Sequence, residues 1–300
     1  MSLVIRPARG EELARAAALV TRSINDLTER HGFGAIAAPR PPDFQAFCLR
    51  DDPRGVWLAE DDGEILGFAL SWVCDRFWFL AELFVAPGGQ GQGIGNELLG
   101  RTLGHADQAG ASTKSLITFA FNTVSQGLYV RHGLLPRLPI HLCSAERASL
   151  AQRLPRPALH ARPIQATPAD LELLRELDMA SLDVSRAKHH RYLLEEAPGM
   201  RGVFLDDGAE PVGYAYVAAS GHVGPLAVMH AGALPDAFHA ALALAAAGQA
   251  RQITVFVPGA NAALAPAVRL GMRFVLPMVL MSSHDSGDWS RYLPRNPGFM

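Results

Sequence analysis

Four glycines stand at alternate positions, Gly89, Gly91, Gly93 and Gly95, between an apolar run ending at Val85 and a helical pattern opening near Ile94. Glycine lets a backbone approach a ligand closely, and free N–H groups at a helix start favour negative charge. The chemistry on offer is anion binding. Gly88–Leu99 contains no lysine or arginine, so such binding would rest on backbone amides and the helix dipole. Two phosphate loops are excluded by spacing. A Walker loop needs Gly-Lys-Ser/Thr at the helix entry, where this chain reads Gly-Ile-Gly-Asn-Glu. The dinucleotide fingerprint fails because Gly93 occupies a spacer position and Ile94 or Asn96 stands where the last glycine belongs. The plain alternative is a tight strand-to-helix turn that binds nothing.

The elements that must carry this loop can be read from periodicity. Strands are expected at Leu3–Arg6, Val56–Glu60, Ile65–Val73 and Phe77–Val85, with helices at Glu11–Glu29 and near Asp43–Leu49. After the loop, Ile94, Leu98, Leu99, Leu103 and Ala106 form one apolar helical face, ending near Ala109. A strand at Ser115–Phe121, a helix at Thr123–His132 and a strand near Leu138–Cys143 complete this part. The chain then repeats itself. The hairpin pattern of Gly55–Ala69 returns at Gly202–Ala215, and Leu128–Ser144 matches within Ala265–Ser282, without a gap, at an offset of 138 residues that sets Ser144 on Ser282. Arg6-Pro7 and Arg162-Pro163 open the two halves alike, and the stretch Ala145–Pro163, broken by Pro155 and Pro157, separates them. The expected organisation is a mixed α/β fold in two related domains, residues 1–145 and 160–283, with a tail at 284–300 whose Trp289, Tyr292 and Phe299 suggest docking.

Composition narrows the class. Hydrophobic residues make up 49% and charged residues 19%, enough for a sizeable core. A formal charge of −2 provides no polybasic field, so neither nucleic acid nor an anionic membrane is expected as a partner. The charged opening stretch argues against an export signal, and the alanine-rich run near Ala243 is too short to span a bilayer. Cys48, Cys74 and Cys143 are widely spaced, which fits a reducing, cytoplasmic setting. The 11 histidines show no paired ligand spacing, so no metal is expected.

Gln90, Gly93 and Gly95 fill an Arg/Gln-x-x-Gly-x-Gly/Ala pattern, Leu83-x-Val85-x-Pro87 precedes it, and Asn122-x6-Tyr129-x3-Gly133 follows. Together these resemble the GNAT superfamily of acyltransferases (Gcn5-related N-acetyltransferases), over nearly the whole first copy. The resemblance implies a sheet flanked by helices, mostly antiparallel, in each of two tandem domains. It implies acetyl-CoA as co-substrate, its pyrophosphate held by Gln90, Gly91, Gln92, Gly93, Ile94 and Gly95 and its pantetheine arm by Leu83, Phe84 and Val85 where two strands splay. Asn122 either bonds that arm, caps the following helix, or does both. Tyr129 falls at the family's position for the proton donor to the leaving thiolate; the alternative is a packed tyrosine. Glu82 is the best-placed carboxylate to take the amine proton, and a solvent-facing glutamate is the alternative. Trp72, Asp75 and Trp78 could receive a cationic amine, or belong to the core or a dimer contact.

The second copy lacks these features. Only Gly232 stands between Met229 and Pro235, Ala267 falls opposite Tyr129, and Asn261 is displaced by one position. Its expected work is structural, or the binding of a different ligand. The expected activity is acetyl transfer to a small-molecule or protein amine by direct attack, with a homodimer possible. A thioester-binding sensor with little turnover is the alternative.

Overall fold

The computed structural model describes residues 3–208 and 210–300. Met1 and Ser2 in the opening stretch, and Ala209 in the turn of the second hairpin, lie outside the described residues. The chain forms two compact units that are not contiguous in sequence. Unit one runs to Ile117 and includes Phe121–Leu135 and Met281–His284; unit two comprises Thr118–Ala120, Pro136–Leu280 and Asp285–Met300.

In unit one, β1 (Val4–Pro7), β2 (Val56–Asp61), β3 (Glu64–Cys74), β4 (Phe77–Val85) and β5 (Thr113–Phe119) lie side by side in that order. The first four are mutually antiparallel, and β5 runs parallel to β4. Asp62 and Gly63, at φ 48 and 78, form the tight β2–β3 turn, as a two-residue hairpin linked by Asp-Gly requires. α1 (Leu13–Arg30) and α2 (Asp43–Asp51) connect β1 to β2, α3 (Ile94–Gln108) connects β4 to β5, and α4 (Thr123–Arg131) follows. Ile94 and Leu98 of α3 pack with Ala59 and Ala69 on the sheet. Gly67 permits that approach: a Cβ there would lie 2.8 Å from Leu98 Cδ1 and 3.0 Å from Ile94 Cγ2. Close seating of α3 fixes the position of the loop that enters it.

Unit two contains β6 (Leu135–Glu146), α5 (Arg147–Ala151), β7 (His160–Pro163), α6 (Pro168–Leu182), α7 (Ala187–Arg191), β8 (Met200–Asp206) and β9 (Pro211–Ala218). It continues with β10 (His222–Val228), α8 (Leu234–Ala246), β11 (Gln252–Pro258), α9 (Leu264–Arg269), β12 (Arg273–Ser282) and β13 (Tyr292–Leu293). Its strands lie in the order β12-β6-β11-β10-β9-β8-β7, with β13 on β10. Val203, Ala215, Leu226, Phe238 and Val255 are among its fully buried core residues.

The strand expected near 138–143 forms, but its body belongs to unit two. There it pairs antiparallel with β11, from Glu146↔Gln252 to Ile140↔Pro258. Against β5 stand residues 281–283, the end of β12 and its next residue, which belong to unit one: Ser115 Oγ donates to the Met281 carbonyl at 3.1 Å and Ser283 N–H to the Lys114 carbonyl at 2.9 Å. Strand pairing is a long-range choice that spacing along the chain does not encode. Among the described residues, no helix is long and apolar enough to cross a membrane.

Candidate active site

β4 and β5 pair from Phe77↔Thr113 to Leu80↔Leu116 and no further, although β4 continues to Val85. The separation begins at a bulge. On the β3 side, Ser71 pairs with Leu80 and Leu70 with Glu82, which leaves Ala81 as the extra residue. Beyond it, Ala86 N–H donates to the Leu66 carbonyl at 2.8 Å, so by antiparallel alternation the N–H groups of Leu83 and Val85 point to the opposite edge, into the gap. Ser23 Oγ on α1 donates to the Val85 carbonyl at 3.2 Å and steadies that end of the strand.

The gap leads into the glycine loop. Gly91 and Gly93 take φ of 80 and 84, values that side chains rarely tolerate, and a Cβ at either would meet nothing within 4 Å. Gly93 ends the loop as the residue before α3, its carbonyl accepting from the N–H groups of Asn96 at 3.0 Å and Glu97 at 3.1 Å. Among the described residues, the N–H groups of Gly91 through Gly95 make no hydrogen bond, which leaves a row of donors at the positive end of α3. Gln90 Nε2 donates back to the Val85 carbonyl at 3.4 Å and Gln92 Nε2 to the Gly88 carbonyl at 3.2 Å. Both glutamines therefore brace the loop, and amides offer the anion contacts. Gly95 differs: its Cβ would sit 3.6 Å from Val85 Cγ2 and 3.8 Å from Leu128 Cδ2, ordinary contact distances.

Leu128, together with His132 Nε2 at 3.0 Å from Asn96 Oδ1, sets α4 against the first turn of α3. Tyr129 lies on α4 and is buried, which pushes its phenol pKa up and keeps the hydroxyl protonated. Among the described residues that hydroxyl makes no hydrogen bond to the protein. Asn122 caps α4: its Oδ1 accepts from Ser125 N–H at 3.2 Å, and its Nδ2 donates to Ser125 Oγ at 2.8 Å.

Leu83 and Val85 pack toward α3, so Glu82 turns to the other face of β4. There Gln45 Nε2 of α2 donates to Glu82 Oε1 at 2.8 Å, while Oε2 is buried with no hydrogen-bond partner among the described residues. Desolvation by burial, only partly offset by Gln45, raises the carboxyl pKa to about 7. Gln45 and Ser23 carry no motif of their own; only folding reveals their partners.

Trp72, Asp75 and Trp78 are not brought to this site. Because the loop follows the C-terminal end of β4, the Cys74–Phe77 turn lies at the opposite end of the hairpin, and Trp78 is roughly 20 Å of extended strand from Val85. Trp72 and Trp78 are buried, the former stacked on Phe79 with ring centroids 5.0 Å apart. A line of Ser71, His105 and Asp52 has the composition of a nucleophile triad: His105 Nδ1 is 2.9 Å from Ser71 Oγ, and Nε2 is 2.9 Å from Asp52 Oδ2. Ser71 is only 1% exposed, so this line ties α3 to β3 rather than meeting a substrate. Among the described residues, no three histidine, cysteine or acidic side chains cluster as metal ligands.

Unit two repeats the frame without the tools. Met229 N–H donates to the Val212 carbonyl as Ala86 does to Leu66, making Val228 the counterpart of Val85. Counting back, Pro225 stands where unit one has Glu82. Met272 N–H to the Ala267 carbonyl mirrors Leu134 N–H to Tyr129, so Ala267 occupies the tyrosine's place. The loop into α8 is shorter, and Pro235 removes a donor from the helix's first turn.

A model of the Acetyltransferase (GNAT) family matches residues 21–134, which span this gap, loop and α4. The chain is 37% identical to a mycothiol acetyltransferase of Streptomyces avermitilis over 84 residues, covering 27% of this chain and 27% of that protein. The chain thus spans well under half the length of that relative. A Pyrococcus horikoshii protein described as an acetyltransferase superposes with TM-score 0.76 at 17% identity, covering 100% of this chain and 96% of that one. A tandem GNAT protein from the clavulanic acid biosynthesis pathway superposes with TM-score 0.63 at 16% identity, covering 95% of this chain and 100% of that one. At such identities the superpositions speak for the fold, and the fold is that of paired GNAT domains. The match to the GNAT family thus covers residues 21–134, and the superpositions give the chain the fold of tandem GNAT proteins; the glycine loop and Tyr129 stand in unit one alone.

Proposed function

We propose that unit one is an N-acyltransferase that moves an acetyl group from acetyl-CoA to the amine of a small molecule or a protein, by direct attack in a ternary complex. The observation that carries this reading is two sets of amide donors left unpaired among the described residues, Leu83 and Val85 on the β4 edge and the N–H row of Gly91–Gly95. The open space above Gly91 and Gly93 fits a pyrophosphate against backbone, and the strand edge fits an amide-bearing pantetheine arm.

The chain's own groups supply the rest. Glu82, with a pKa near neutrality, accepts the proton an alkylamine of pKa about 10 must lose before it can attack. The amides of Leu83 and Val85 donate to the acyl oxygen as charge develops there. Tyr129, kept protonated by burial, donates to the departing thiolate sulfur. Asn122 helps seat the arm or serves α4 alone.

A panel of amines (polyamines, amino acids, aminoglycoside-like compounds and N-terminal peptides) assayed for CoA thiol release from acetyl-CoA tests the activity. Tyr129→Phe is expected to leave acetyl-CoA affinity near wild type and to lower turnover at least ~10-fold. Unchanged turnover would remove Tyr129 from the mechanism. Binding of acetyl-CoA without thiol release to any amine would favour a sensor over an enzyme.

A further inference from the structure

The cleft of unit two is built like that of unit one, and the chain itself fills it. β10 pairs with β11 only at His222↔Thr254 and Val223↔Val255, then keeps β9 alone on its other edge to Val228↔Gly213. Onto the edge that β11 leaves, β13 adds as an antiparallel strand, Leu226↔Leu293 and Ala227↔Tyr292. Val228 N–H, counterpart of the Val85 donor that faces the gap in unit one, donates to the Arg291 carbonyl at 3.0 Å. Asn261, at the turn before α9, donates from Nδ2 to the carbonyls of Trp289 at 2.7 Å and Tyr292 at 3.3 Å. Gly224 lies at the β10 bulge, and a Cβ there would be 2.8 Å from the Pro294 carbonyl oxygen and 3.0 Å from Arg295 Cα. The segment thus lies where a side chain would otherwise stand.

Its floor is polar and buried. Arg186 is held by Asp178, Nη2 to Oδ1 at 2.8 Å and Nε to Oδ2 at 3.2 Å, and its Nη1 donates to Tyr292 Oη at 2.6 Å and the Met300 carbonyl at 3.2 Å. A buried guanidinium needs acceptors for its remaining donors; Tyr214 Oη of β9 accepts from Nη2 at 2.7 Å, and the final segment accepts from Nη1. Tyr292 and Leu293 are fully buried and Phe299 and Met300 are each 1% exposed, so the segment is anchored at two points.

We propose that the β10–β11 cleft of unit two is a peptide-strand-binding site, occupied by residues 289–295 of the same chain in place of a thioester arm. Its ligand class is an extended peptide that pairs its main chain with the strand edge and buries an aromatic-aliphatic pair, here Tyr292 and Leu293. The comparison with a thioester arm rests on the reading of unit one; the peptide site does not. An open β10 edge would be a pairing hazard, and the segment covers it.

Hydrogen exchange read by mass spectrometry on the full chain tests this. Amides of residues 291–294 are expected to exchange at least ~100-fold more slowly than in an unstructured peptide. Saturating acetyl-CoA should slow exchange at 83–95 and leave 289–294 unchanged. Asn261→Asp retains the oxygen that accepts from Ala263 N–H but turns the donor facing two carbonyls into an acceptor. It should speed exchange at 289–294 at least ~10-fold with no change at 83–95. Random-coil exchange of the segment in the wild-type chain, or its release by acetyl-CoA, would overturn the proposal. So would unchanged exchange there in a folded Asn261→Asp. Absence of protection at 83–95 beside a protected tail would instead count against the thioester reading of unit one.

Discussion

Glu82 shows how far a single residue is decided by its surroundings. Its position just before the glycine loop is visible along the chain, but its proton affinity is set by the buried Oε2 and the bond from Gln45. A base titrating near pH 7 gives a kcat/KM that rises with pH through that value and levels above it. Glu82→Gln should flatten this limb and lower the plateau about 100-fold, measured as thiol release between pH 5.5 and 9. Stability should move the other way. The folded-state pKa lies above the ordinary carboxyl value, so the fold favours the protonated form, and that advantage is lost as pH rises toward 7. Glu82→Gln should therefore melt higher than wild type at pH 8, its unfolding free energy larger by at most roughly 3 kcal/mol, with the difference shrinking toward pH 5. A melting point that tracks wild type at both pH values would mean the carboxylate is well solvated.

The decisive element is the turn from β4 into α3. A bulge at Ala81 frees the strand edge, Gly67 seats the helix, and positive φ at Gly91 and Gly93 turns the amides outward. The glycine spacing is legible along the chain because the requirement for φ is local. The bulge is not, since Ala81 has no composition that marks it. Gly93→Val places a β-branched residue at φ 84, with its side chain in the space above the loop. Acetyl-CoA affinity is expected to fall at least ~10-fold by calorimetry, with the circular dichroism spectrum retained. Wild-type affinity in that variant would show that the loop holds no pyrophosphate.

At the scale of the molecule, one fold occurs twice, with the proposed site in unit one and a filled cleft in unit two. Unit two has Pro225 for Glu82, Ala267 for Tyr129, a shorter loop with Pro235, and its own final segment along β10. One acetyl-CoA per chain is therefore expected in a calorimetric titration. Two sites would show that a thioester can displace residues 289–295, and would count against both the silent second unit and the peptide site.

Repetition of the chain, the loop, Tyr129 and the loss of these features in the second copy were all readable from the sequence. Each is a short stretch whose spacing is imposed by local backbone geometry, so it survives without knowledge of neighbours. Tertiary structure alone decided the rest. The body of β6 belongs to unit two, Trp72 and Trp78 lie at the far end of the hairpin, and Gln45 meets Glu82 from 37 residues away. The aromatic residues of the tail hinted at docking, but the place depended on which strand edge β11 left open. Strand partnership and desolvation come from contacts between distant residues, and no pattern within one segment carries them.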